Sequence, residues 1–231
     1  MAASKNLVWL FDLDNTLHDA SHAIFPAINR NMNALIARVL ESEARPSHPD
    51  AVNAVRIAYW QRYGATLLGM MRHHAVRSED FLRDAHQFEN LSSMIRAERG
   101  VARVLKRLPG RKILLTNAPA SYAHHVLRHL GLHRHFADHL SIESMVVHRQ
   151  LRPKPSRLLL RKLLAREGLR ARRCVLVEDT LENLKSARAL GVRTVWFAGF
   201  LPVSKGRPAF ADIKVTSLSQ LPRRLSRLGA C

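Results

Sequence analysis

The chain has 231 residues, 47% hydrophobic and 24% charged, which suits one sizeable core or a core with a smaller second unit. No apolar run approaches the roughly 20 residues of a membrane helix, and LVWLF before Asp12 is too short and acidic a start for a secretion signal. The protein is therefore expected in the cytoplasm, with no membrane partner, and its two cysteines, Cys174 and Cys231, suggest neither a disulfide framework nor a paired metal motif.

The formal charge of +19 points two ways: toward nucleic acid, whose phosphates attract Lys and Arg, or toward steering of small phosphorylated substrates. The basic residues are scattered from Arg30 to Arg227 rather than gathered in a tail. That pattern fits solvated faces first and anion steering second, and makes a nucleic-acid partner unlikely.

In chain order, LVWLF (7–11) reads as a buried strand that ends at an acidic turn, DLDNT. Helical spacing follows from about residue 20 to 90. Ile28, Met32, Leu35, Ile36, Val39 and Leu40 share a face, with Pro26 near the start. RPSHPD (45–50) interrupts, AVNAVRIAYWQRY resumes, Gly64 and Gly69 loosen the next stretch, and Ser78 with two acids opens another helix. After Gly100, helices and strands alternate. KILLT (112–116), a weak strand near HLSIE, CVLVE (174–178) and RTVWF (193–197) are separated by helices that Gly131 and Gly191 close. IKVTS and a Leu/Arg-rich helix finish the chain.

Such alternation predicts an α/β fold, a doubly wound parallel sheet with helices on both faces. Its core would comprise residues 1–17 and 91–231, with an all-helical insert over 18–90. Ligands of such sheets bind beyond the carboxyl ends of the strands. Four unusual segments fall there: Asp12-Leu-Asp14-Asn-Thr16, Thr116-Asn117, Pro153-Lys154-Pro155 and Glu178-Asp179.

Singly these segments read as turn chemistry and solvated loop; together they suit phosphate chemistry. Asp12 and Asp14 project to one side of an extended turn, so one can attack phosphorus while the other manages the leaving group's proton. Acids so close need compensation, which Mg²⁺ and Lys154 supply, with Glu178 and Asp179 as further carboxylates. Thr116 and Asn117 offer a hydroxyl and an amide to the transferring oxygens.

FDLDNTL, LLTN, the RPKP lysine and LVEDTLEN resemble, in order and spacing, the motifs of the haloacid dehalogenase-like (HAD) hydrolase superfamily, and the insert resembles its helical cap. The resemblance implies Asp12 as nucleophile and Asp14 as general acid/base. Metal would be held by Asp12, the Asp14 carbonyl and Asp179, with Glu178 beside it; phosphate would be bound by Thr116, Asn117 and Lys154. Dehalogenases of the superfamily lack an acid equivalent to Asp14, so its presence favours phosphate esters.

Among branches, FDLDNTLHDA and the ED-T-x-x-N run with Asn183 most resemble pyrimidine 5′-nucleotidases, which act on nucleoside monophosphates such as UMP and CMP. His18 stands where those relatives often carry Tyr, and Glu178-Asp179 where many carry Asp-Asp. His18 and Asn183 are candidate substrate contacts. Aromatic residues of the insert, among them Tyr59, Trp60 and Tyr63, offer flat surface for a base or simply pack helices. The alternative substrate is another small ester, such as a sugar phosphate, handled by a phosphatase or phosphomutase. A monomer or a homodimer is expected. His125, His129 and His133, four apart, lack partner ligands and read as structural.

Overall fold

In a computed structural model, which describes residues 7–200 and 206–228, the chain divides into two compact units. One holds the described residues up to Ala20 and from Ile95 onward; the other is Ser21–Met94. The first break falls after Ala20 rather than after residue 17, because the turn following Asp12 closes on itself that far. There Asn15 Oδ1 accepts from Ala20 N at 3.1 Å.

The larger unit is built on Val8–Phe11 (β1), Arg111–Leu115 (β2), Asp138–Leu140 (β3), Cys174–Glu178 (β6), Arg193–Phe197 (β7) and Ile213–Val215 (β8). A separate antiparallel hairpin, Val146–Val147 (β4) with Gln150–Leu151 (β5), lies between β3 and β6 in the chain. The six long-range strands form one all-parallel sheet in the order β3-β2-β1-β6-β7-β8. All residues of β1 and β6 are buried, as central strands covered on both faces must be. Val8, Leu10, Ile113, Leu115 and Leu176 point into one core cluster with Leu160 and Leu163. The alternate residues Trp9 and Phe11 stack on each other, and Phe11 meets Phe136 edge-on at 6.0 Å. Each such fully buried side chain contributes about 1.5–3 kcal/mol.

The smaller unit is helical throughout: Ile24–Ser42 (α1), Pro49–Tyr63 (α2), Thr66–His73 (α3), Ser78–Ala85 (α4) and the single turn Leu91–Met94 (α5). Ile24, Ile28, Leu35, Ile36 and Leu40 form the buried stripe of α1. Pro49 opens α2, and Gly64 closes it in the left-handed conformation. Tyr59 of α2 bonds His74 Nε2 at 2.7 Å, and His74 Nδ1 meets the Glu43 carboxylate at 2.9 Å, so a polar chain centred on the buried His74 ties three segments together. Gly69, read from sequence as a loosening residue, instead lies inside α3, where a Cβ would come within 2.2 Å of the Tyr59 ring. It admits the ring.

The remaining helices belong to the sheet unit: Val101–Arg107 (α6), Ala120–His129 (α7), Arg157–Arg166 (α8) and Leu181–Arg188 (α9). The chain's last described stretch, Leu218–Leu228, runs as 3-10 turns rather than the expected Leu/Arg helix. Pro222 lies inside it, and a proline there withdraws an N–H from any α-helical ladder.

Candidate active site

Sheet register assembles the site. Phe11 pairs with Leu114 on one side and Val177 on the other. Asp12 therefore emerges beside the ends of β2 and β6, and its N–H donates to Val177 O at 3.0 Å. Thr116 N donates to Leu140 O at 2.9 Å, extending β2 toward β3.

The turn after Asp12 folds back on its own carboxylates at a spacing of four. Leu17 N bonds Leu13 O at 2.8 Å, closing one helical turn. Thr16 Oγ1 then donates to Asp12 Oδ2 at 3.1 Å, and His18 Nε2 meets Asp14 Oδ1 at 2.9 Å. Asn15 takes the left-handed conformation at φ 56°, which asparagine tolerates better than most residues. The Tyr122 hydroxyl of α7 donates to the same Asp14 oxygen at 2.6 Å.

Lys154 enters from the loop before α8. Its Nζ donates to Asp12 Oδ1 at 2.6 Å and to Glu178 Oε2 at 2.8 Å, with all three side chains buried. Asn117 fixes this loop: its Nδ2 donates to Lys154 O at 3.0 Å while its Oδ1 accepts from Lys154 N at 2.9 Å. Thr180 N donates to Glu178 Oε1 at 3.2 Å, and Trp196 Nε1 of β7 donates to Asp179 O at 3.1 Å.

One oxygen from each of Asp12, Glu178 and Asp179 lies within 4.8 Å of the others. Burial, then Glu178 and Asp14, push the Asp12 carboxyl up to about 7 against the pull of Lys154. Burial, then Glu178 and Asp12, push Asp179 up to about 9. Burial works against the Lys154 ammonium, yet Asp12 and Glu178 outweigh it and raise its pKa above the ordinary value. One ammonium thus leaves the converging carboxylates under-neutralised, and a hard divalent cation is the group that fits such an oxygen set. Both oxygens of Asp12 and of Glu178 accept protein donors, and each carboxylate oxygen keeps a second lone pair for a cation.

The structure thus brings Asp12, Lys154, Glu178 and Asp179 into one cluster. Thr116 stands at the end of β2 with its Oγ1 accepting from Ala118 N at 3.1 Å, an arrangement that leaves its proton to another acceptor. The Asn117 side chain bonds the Lys154 backbone at both its amide atoms, and His18, 0% exposed, faces Asp14. Asn183 is buried on α9. His125 and His129 lie on α7 and His133 begins a separate 3-10 turn; among the described residues, the metal-capable group is the carboxylate one. Sequence reading passed over Tyr122. Its one available signal is an aromatic residue in the first turn of the helix that follows Thr116-Asn117.

A parallel sheet delivering clustered carboxylates and a buried lysine to one end of its central strands defines a class of hydrolase. The sequence model of haloacid dehalogenase-like hydrolases matches residues 8–191, and the chain belongs to that family. Solved structures share the fold. A HAD phosphatase from Thermococcus onnurineus is similar at 16% identity and a TM-score of 0.63, covering 95% of this chain and 97% of its own. A 2-haloacid dehalogenase from Pseudomonas syringae pv. Tomato is similar at 22% identity and 0.57, covering 96% and 98%. A HAD hydrolase from Bacillus subtilis, described in magnesium-bound form, is similar at 15% identity and 0.59, covering 96% and 99%.

Proposed function

We propose that the protein is a magnesium-dependent phosphomonoesterase that works through an aspartyl-phosphate on Asp12. Asp14 carries this reading. A halide leaves without a proton, whereas the oxygen of a phosphate ester leaves far more readily with one. A second carboxylate two residues from the nucleophile, held by Tyr122 and His18, has a use in ester cleavage and none in dehalogenation.

In the proposed sequence, an Asp12 oxygen forms a bond to phosphorus as the bond to the ester oxygen breaks, and Asp14 gives that oxygen its proton. Asp14 then takes a proton from the water that attacks the aspartyl-phosphate, releasing inorganic phosphate and restoring both acids. Lys154 holds Asp12 in place and offsets charge, and Thr116 donates its hydroxyl to a phosphoryl oxygen. Asn117 acts through the Lys154 loop. Asp12 and Asp179, with Glu178 alongside, would hold Mg²⁺, and the resemblance adds the Asp14 carbonyl; the bound ion would supply positive charge to the phosphoryl oxygens.

The residues of the helical insert are assigned substrate choice, as the cap of the family. Nucleoside 5′-monophosphates, pyrimidine ones first, are the narrower substrate proposal, supported by the resemblance of the motifs; sugar phosphates are the alternative. Within the helical unit Tyr59 and Phe81 pack its helices, while Trp60 is 60% exposed. Phosphate release from UMP, CMP, AMP and sugar phosphates, measured with Mg²⁺ and again in EDTA, tests both levels. Metal-dependent release that Asp12→Asn abolishes supports the chemistry, and the ranking of esters supports or removes the nucleotide preference. Release that persists in EDTA or in Asp12→Asn contradicts the mechanism.

A further inference from the structure

Asp14 is anchored by more than its own turn. The Tyr122 hydroxyl and His18 Nε2 both address Oδ1, at 2.6 and 2.9 Å, and lie 3.3 Å from each other. His18 is 0% exposed and Tyr122 3%, so neither is a surface group that happens to swing inward. They also arrive from different places: His18 is four residues along the same turn, and Tyr122 is 108 residues away on α7.

An aspartate carboxylate rotates in a broad, roughly two-fold well, so its two oxygens ordinarily exchange places. Two donors on one oxygen remove that freedom. Proton transfer depends on such orientation, because the acid must lie within hydrogen-bond reach of the departing oxygen. We propose that Tyr122 and His18 are positioning residues that pin Asp14 Oδ1, so that Oδ2 is the oxygen that trades the proton with the leaving group. This rests on the phosphomonoesterase reading above. The phenol on α7 thereby links the nucleophile turn to the helix that follows β2.

The test compares leaving groups. Nitrophenolate departs with little need of a proton, whereas the alkoxide of glycerol phosphate needs one. Tyr122→Phe, which removes the hydroxyl alone, is expected to lower kcat/KM for glycerol phosphate about tenfold or more and for p-nitrophenyl phosphate less than about threefold. Asp14→Asn should show the same selectivity, more strongly. Adding Tyr122→Phe to it should change neither value further, because the pinned group is already gone. At position 18, His18→Gln, which keeps a donor, should retain more glycerol phosphate activity than His18→Leu. Equal losses on both esters for Tyr122→Phe, in a protein whose melting point is unchanged, would overturn the proposal, as would additive losses in the double variant. If the wild-type protein releases phosphate from neither ester, nor from UMP, CMP, AMP or sugar phosphates, the phosphomonoesterase reading fails first and takes this one with it.

Discussion

At the scale of single residues, the site is organised around Lys154 Nζ, which lies 2.6 Å from Asp12 and 2.8 Å from Glu178 in a buried setting. Taking one partner from a buried charge network leaves the others uncompensated, at a cost of about 3–5 kcal/mol. Lys154→Met is therefore expected to lower the unfolding free energy in EDTA, read from urea denaturation, by about 3–5 kcal/mol; an unchanged urea midpoint would show that the carboxylates do not depend on it. Asp12→Asn has the opposite sign. At pH 8 the ionised Asp12 is held in the fold against a pKa pushed up to about 7 by burial and Glu178. The neutral amide relieves that repulsion, so the metal-free variant should melt above the metal-free wild type, as a scan at that pH would show. Asp12, Asp14, Glu178 and Asp179 were legible in the sequence because they follow apolar runs at strand ends, and Lys154 because it stands between two prolines ahead of a helix. Tyr122 was not, since its role exists only through a contact 108 residues distant. The Asn117 clamp was illegible for the same reason: an amide cannot show from sequence that it will bond a backbone 37 residues further on.

At the scale of elements, the long-range strands were readable as apolar runs of three to five residues, and the helices of the insert as periodic stripes. The two-residue strands of the β4-β5 hairpin are too short to carry a period, and the 3-10 turns of Leu218–Leu228 share their composition with a helix. The entry to β1 depends on one glycine. Gly110 lies at φ +83°, where a Cβ would come within 2.1 Å of Leu7 O, just before β1. Arg111 N also donates to that oxygen at 3.0 Å, so β1 and β2 begin together there. Neither the dihedral nor the backbone neighbour can yield cheaply to a side chain. Gly110→Ala should therefore destabilise by about 2 kcal/mol or more, seen as a lower urea midpoint. A midpoint equal to wild type would mean the two strand starts are free to part.

For the whole molecule, the chain's net charge of +19 attracts anions at long range, whereas the carboxylate cluster with its one lysine is negative. The site's surplus also sets a pH dependence. Asp12 and Asp179 have folded pKa values raised from 3.8 to about 7 and about 9, so the folded state binds more protons than the unfolded one between those limits. The stability they contribute is complete at acid pH and is lost as pH rises through the raised values. The contribution of these two groups should accordingly lower the melting temperature of the metal-free protein from about pH 4 to about pH 9, and added Mg²⁺ should flatten that slope by favouring the ionised carboxylates. A flat profile in EDTA, with no response to Mg²⁺, would remove the cation from the account. The central claim, that the carboxylates of the first turn serve phosphate esters, meets its most direct test in a single comparison of products. With Mg²⁺ present, the protein is incubated separately with a panel of phosphomonoesters and with 2-chloropropionate, and released phosphate and chloride are measured. Phosphate without chloride, lost in Asp12→Asn, is the predicted result; chloride without phosphate would contradict it.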